Sequence, residues 1–446
     1  MELLDLPPEI YQRIVRFLVK KHGLVEAWKI RGISKAFKTY ITYEVLAAPS
    51  FYAYNKTRAG RDILRNNLAD FLYVRSNTLN HFARPHVPNF IRDVMLVMKP
   101  WVIGDEATSK LRKALCELFV RNKVDALKCV LTDIYKLKKA LREGISSPNT
   151  VTLIAAAVAT GNVDALRHFS KESKESLSVT SPAFGYPLDA AVYVGHLGLV
   201  KVIAQQAITN KSHTVVDVKH AEHLSFRQAV CTGIECDRDE IVTHLIGKYL
   251  EAFGSITGPC METWLSTAIV HRNSHVLQLL LTIPTQASES AFYDAFQTAF
   301  RDFKPALTGL FFSPSRNSLS INQVYGYTYP LLTAITTIKG PQHTKLFVKT
   351  LLKLGADANG PEYLAGLDRP LCVAWKREFH EAFLTLLEAG ANPWLVFSAK
   401  KIRGIMNKHG KATEIGKALI VAYRKAKRLN PSQEDEGFLA DVEQKL

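Results

Sequence analysis

The sequence predicts an all-α repeat protein, and three observations predict it. Two glycine-closed segments, Gly355-Ala356-Asp357-Ala358-Asn359 and Gly390-Ala391-Asn392-Pro393, stand 35 residues apart, each preceded by a Leu-Leu pair. A frame of Pro-Leu, then a small residue, then Gly and an apolar helix recurs along the chain. The first 46 residues carry three short amphipathic patterns at helical spacing.

The repeat frame is clearest at Tyr186-Pro187-Leu188-Asp189-Ala190-Ala191, followed by Gly195-His196 and the apolar run Leu197 to Ile203. Proline pre-sets the first helical turn, where its missing N–H costs nothing. Alanine allows two helices to approach closely, and Gly195 suits the turn between them because it tolerates positive φ. Thr152 to Ala157 leads in the same way to Gly161 and Val163 to Leu166. Tyr329-Pro330-Leu331 with Ala334 and Arg369-Pro370-Leu371 with Ala374 lead to the two glycine closures. Each closure caps a second helix and sets up the turn into the next unit.

These residues resemble the ankyrin pattern, T-P-L-H-x-A followed by G-H and an apolar helix. The resemblance covers about residues 112 to 394 and implies seven or eight irregular helix pairs that bind proteins through surface complementarity. His196, at the family's G-H position, is implied to hydrogen-bond between repeats. Weaker copies are read at Phe226 with Ala229, Leu265 with Ala268, and Phe292 with Ala295, whose second helix around Leu307 to Phe312 is poorly marked. Leu115 to Leu118 with Asn122 to Leu127 reads as a degenerate first unit, Leu118 standing in the small-residue place. Alanine spacings of 34, 38, 39 and 40 exceed the usual period of about 33, so insertions are expected in loops.

Upstream, Pro7-Pro8 starts a helix, with Ile10, Ile14, Phe17 and Leu18 expected on one face. A second helix is expected around Leu24, Ala27 and Trp28, and a third over Ile33 to Val45, with Lys20 to Gly23 as a loop. Leu6-Pro7-Pro8-Glu9-Ile10, Ile14 to Leu18 and Ile33-Ser34-Lys35-Ala36-Phe37 resemble the F-box. That resemblance implies docking on the Skp-type adaptor of an SCF-type ubiquitin ligase by Leu6, Pro7, Ile10, Ile14, Phe17 and Leu18. The repeats would then hold the target. The combination resembles a group of filamentous-fungal proteins. The stretch from Leu18 to Ile33 exceeds the motif by about four residues, a departure that favours the alternative in which these helices only cap a stand-alone ankyrin scaffold. The expected domains are 1–46 F-box-like, 47–110 helical bridge, 111–396 repeat array, and 397–446 basic closing helix with an acidic tail.

Composition bounds the function. Of 446 residues, 47% are hydrophobic and 22% charged, as in an ordinary folded protein. No apolar run reaches the roughly 18 residues a spanning helix needs, and the N-terminus lacks a secretory pattern. Six cysteines without a paired framework suit reduced thiols in the cytoplasm or nucleus. No phosphate loop, dinucleotide turn, zinc helix or nucleophile elbow is present, so the chain reads as a non-enzyme that needs no cofactor. Cys231 and Cys236 with His220 and His223 read as structural residues, because the spacing does not match zinc sites. The net charge of +16 attracts acidic partners in general. Ten basic residues between Lys400 and Arg428 read as a solvated closing helix, since no aromatic platform for nucleic acid accompanies them.

Overall fold

The computed structural model describes residues 7–77, 86–122, 126–131, 145–172, 177, 179–209, 216–362, 369–398, 401–402, 404–405 and 413–429. These residues are helical, with 3-10 turns and isolated bridges but no strand among them. They fall into two compact units, residues 1–248 and 249–446. The division lies inside the stretch expected to form one array.

The first unit opens with α1 (Pro8–Ile30), α2 (Lys35–Ala47), α3 (Phe51–Asn55), α4 (Arg58–Asn66), α5 (Leu68–Asn77), α6 (His86–Met98), α7 (Asp105–Asn122) and α8 (Ala126–Leu131). Helix pairs follow as α9 (Thr150–Thr160) with α10 (Val163–Glu172), α11 (Pro187–Val194) with α12 (Leu197–Thr209), and α13 (Val216–Glu235) with α14 (Asp239–Phe253). In the second unit come α15 (Gly258–Val270) with α16 (Ser274–Thr282), and α17 (Glu289–Arg301) with α18 (Pro305–Thr308). They are followed by α19 (Pro330–Thr337) with α20 (Pro341–Lys353), α21 (Pro370–Lys376) with α22 (His380–Glu388), and α23 (Glu414–Leu429). First helices pack on first helices: α9 on α11, α11 on α13, α15 on α17, α19 on α21.

One local device joins most pairs. The turn residue is left-handed at Gly161 (φ 75), Gly195 (φ 89), Asp237 (φ 52), Arg272 (φ 58), Phe303 (φ 53) and Glu378 (φ 59). In five of these turns the next residue donates its N–H five positions back. His196 donates to Ala191, Arg238 to Gly233, Asn273 to Ala268, Lys304 to Ala299, and Phe379 to Ala374, at 2.8–3.0 Å. This satisfies carbonyls that a helix end would otherwise leave open. The acceptor is always alanine or glycine, which fixes the register of the weaker pairs. Gly233 and Ala299 hold the small-residue place, and the expected Ala229 and Ala295 stand one helical turn earlier. A Cβ at Gly233 would lie 2.5 Å from Val242 Cγ2 on α14 and 3.4 Å from Val192 Cγ1 on α11, so only glycine lets the three helices meet.

Basic residues beside these turns reach back to the preceding pair. Arg238 lies on Gly195, and the His196 ring lies on Gly161. The Lys304 ammonium donates to the carbonyl of Ile269 and to that of Val270 at 2.9 Å, and Arg377 donates to those of Ile335 (3.3 Å) and Thr336 (2.6 Å). Each neutralises the negative end of the preceding first helix. Lys304 is itself buried, so part of the basic excess is structural.

The second unit repeats a further contact at the ends of its loops. The Asn322 side chain accepts from Asp357 N–H at 2.8 Å, and Asn359 accepts from Asn392 N–H at 2.7 Å. Gly355 and Gly390 each sit at φ 96 and close α20 and α22. The short α18 and the 3-10 turn Gly309–Phe312 explain why a second helix near Leu307 is hard to read in the sequence. The closing α23 buries Ile415, Leu419 and Ala422, whereas Val421, expected on the apolar side, faces solvent. The acidic tail beyond residue 429 lies outside the described residues.

Candidate functional site

The N-terminal module is built from α1 and α2. Pro7 precedes α1, and its carbonyl accepts from Ile10 and Tyr11 N–H at 3.0 Å. Ser34 caps α2 by accepting from Phe37 N–H at 3.1 Å. The expected loop at Lys20 to Gly23 is instead helix through His22. Only Gly23 departs, at φ 82 and ψ 166, and the chain resumes helix at Leu24. The extra residues therefore lengthen the first helix by about one turn.

Helix α1 is apolar on two sides, and the sites expected from the sequence divide between them. Tyr11, Val15 and Val19 are buried, and the Tyr11 ring meets Phe37 edge-on at 5.5 Å and Tyr40 at 5.0 Å. Burial raises the Tyr11 phenol. On the other side Ile10, Ile14 and Phe17 are exposed, Phe17 to 65%. They follow the i, i+4, i+7 spacing of one helical stripe. Pro7 is exposed at its start, Leu18 is half-buried at its edge, and Leu6 lies outside the described residues. Ile33, 70% exposed, adds a second apolar side chain to the module's surface. An exposed aliphatic–aromatic stripe on a packed helix is the kind of feature that marks an interaction surface.

A polar clamp orients this helix. Glu44 on α2 is buried, and its carboxylate accepts from Arg16 Nε and Nη2, both at 3.2 Å, and from Gln12 Nε2 at 3.1 Å. The carboxylate beside it raises the Arg16 guanidinium. Arg16 and Gln12 stand between the buried and exposed apolar faces, so the pair sets the angle at which the stripe is presented. Below it, buried Arg75 on α5 donates to the carbonyls of Leu46 (2.9 Å) and Pro49, and lies 4.4 Å over the Phe71 ring. Burial lowers its guanidinium, opposed by Tyr54, whose own phenol burial pushes up to about 12. The module and the helical bridge thus form one packed body.

A second constellation lies where α7 ends. Arg121 Nη2 donates to Thr232 Oγ1 at 2.7 Å and to Glu235 on α13, and Thr232 donates to the buried Asp189 on α11. The guanidinium lies 5.6 Å over the Tyr193 ring, whose hydroxyl donates to Glu117 Oε2 at 3.0 Å. Helix α7 therefore reaches the faces of α11 and α13 directly. This corrects its reading as the first helix of a degenerate repeat, which would stack only on its neighbour. Burial raises Asp189, against the opposing pull of Thr232 and Arg121. Burial would lower Arg121, but Asp189 and Glu235 outweigh it and raise the guanidinium. Tyr193 is pushed up to about 12, by burial first and Glu117 second. Nothing in the sequence pairs residue 121 with 189, 232 and 235; only the fold brings them together.

The remaining chemistry-bearing residues stay apart. Cys231 is buried in α13, Cys236 is half-buried at its end with its thiol raised by burial, and the side chain of His220 lies outside the described residues. No group of three or more His, Cys, Asp or Glu among the described residues is placed to hold a metal ion. No helix among them is long and apolar enough to cross a membrane. The comparisons with known proteins add no relative: no family model, no curated protein and no solved structure matches the chain.

Proposed function

We propose that the chain is a non-enzymatic binding protein whose N-terminal module docks on the Skp-type adaptor of a cullin-RING ubiquitin ligase. In this reading the helix pairs are ankyrin-type units that hold a protein target. The observation that carries it is the stripe Ile10, Ile14 and Phe17, left exposed on a helix whose opposite face is fully packed. Burying such side chains at an interface contributes about 25 cal/mol per Å² of apolar area before the costs of association. The recurring left-handed turns, glycine closures and first-helix stacking support the ankyrin-type reading of the pairs.

The full chain mixed with purified Skp-type adaptor should elute as a stoichiometric complex. Ile14→Asp should abolish the complex while leaving the melting temperature unchanged, because Ile14 contributes little to the core. Complex formation by Ile14→Asp would refute the docking face.

The helical extension through His22 favours a second reading, in which the module caps a stand-alone scaffold. Failure of the unmodified chain to bind adaptor would select it.

A further inference from the structure

The two units contain a groove at the same register, filled in one and open in the other. In the first unit, Asp189 on α11 stands six residues before the left-handed turn residue 195, and Thr232 on α13 stands five before residue 237. Arg121 donates to Thr232, which donates in turn to Asp189. In the second unit, Ser266 on α15 stands six residues before residue 272, and Thr298 on α17 five before residue 303. These are the same positions on neighbouring first helices. Here they line a cavity of about 230 Å³ together with Glu262, Ser290, Asp294 and the alanines 291 and 295.

The chemistry of the open groove resembles that of the filled one. Each has carboxylates, a threonine hydroxyl and a floor of small residues. Glu262 stands one turn before Ser266, and Asp294 one turn before Thr298, so both carboxylates flank the hydroxyls on the same faces. In the first unit Arg121 is ion-paired to Glu235, whereas no ion pair among the described residues reaches Glu262 or Asp294. Asp189 and Thr232 are buried beneath Arg121, while Glu262, Ser266 and Asp294 are exposed. Two carboxylates on a chain of net charge +16 make a local acidic recess on a basic protein.

We infer that the α15–α17 groove is a docking site for an arginine carried on a helix of a partner protein, seated as Arg121 of α7 is seated on α11 and α13. A planar guanidinium with five donors can engage carboxylate and hydroxyl oxygens together. Alanines 291 and 295 leave room for the side chain's aliphatic stem. The inference identifies a second surface, and it stands or falls independently of adaptor docking by α1.

The probe is a fluorescein-labelled, alanine-rich peptide of about 20 residues, long enough to be helical alone, with arginine at every fourth position. Its binding to the full chain is measured by anisotropy at about 0.15 M salt, where long-range attraction is screened. The protein's overall positive charge repels this probe, so saturable binding reports a local acidic site. The expected result is binding that weakens at least about tenfold in the Glu262→Gln/Asp294→Asn double variant and with a glutamine-for-arginine peptide. Both substituted residues are exposed, and an unchanged melting temperature verifies the fold. Absence of saturable binding by the unsubstituted chain, or a loss smaller than tenfold in either comparison, would overturn the inference.

Discussion

Two helices of the first unit, α1 and α7, each carry a row of side chains that the local helix does not need, and the fold treats them oppositely. Arg121 at the end of α7 is received by Thr232 and Glu235, and Tyr193 lies under it. Ile10, Ile14 and Phe17 of α1 are received by nothing in the described chain and face water. The contrast separates structural from functional roles by a physical criterion. A polar group that is expensive to bury has its partners inside the molecule, whereas apolar groups that would gain by burial remain uncovered. The first row contributes to folding, and the second is available for binding.

Substitution at Arg121 should give the largest change in stability. Arg121→Met removes the cation from beside buried Asp189 and leaves that carboxylate without its nearest opposite charge. Breaking a buried pair by removing one partner costs about 3–5 kcal/mol, and partial exposure of Arg121 lowers the expectation to about 2–3 kcal/mol. Urea denaturation should show this loss while adaptor binding, measured below the transition, stays unchanged. A stable Arg121→Met protein would break the comparison.

Gly233→Ala should come next. Its Cβ would meet Val242 and Val192, and overpacking of this kind costs about 1–3 kcal/mol. Because α13 would be pushed from α11, the change should also weaken the coupling between Thr232 and Asp189, and a double-mutant cycle with Asp189→Asn measures it.

The smallest stability effect is a pH dependence. Asp189 has its carboxyl raised from an ordinary 3.8 by burial. A raised acid contributes stability that is complete below its unfolded value and is lost as pH rises through the folded value. The stability of Asp189→Asn relative to the unsubstituted chain should therefore grow as pH rises from about 3.8 and level off once Asp189 is ionised. A difference that shrinks over that interval would mean that Arg121 and Thr232 outweigh burial.

Much of the fold is legible in the sequence, because its devices are local. Pro187, Gly195, Gly355 and Gly390 announce helix starts and left-handed caps by residue type alone. Legibility fails where the same turn is made by Asp237, Arg272, Phe303 and Glu378, since side-chain-bearing residues give no sign of positive φ. That is why Ala229 and Ala295 attract the small-residue assignment that Gly233 and Ala299 hold. The stripe on α1 is half legible: spacing finds Ile10, Ile14 and Phe17, but Tyr11, Val15 and Val19 offer an equally apolar face. Packing on α2 decides which one turns inward. Arg121 and the α15–α17 groove are invisible in sequence, because their members come from helices tens of residues apart.

The central claim is that the uncovered row on α1 belongs to a partner. Adaptor affinity of Phe17→Ala in the full chain, by titration calorimetry, tests it most directly. Phe17 is 65% exposed, so its truncation should leave unfolding unchanged, while removal of an interfacial aromatic anchor costs about 2 kcal/mol or more. The account predicts adaptor affinity weakened by about thirtyfold or more with the same melting temperature. Unchanged affinity at unchanged stability would contradict it and leave the stripe without the role proposed for it.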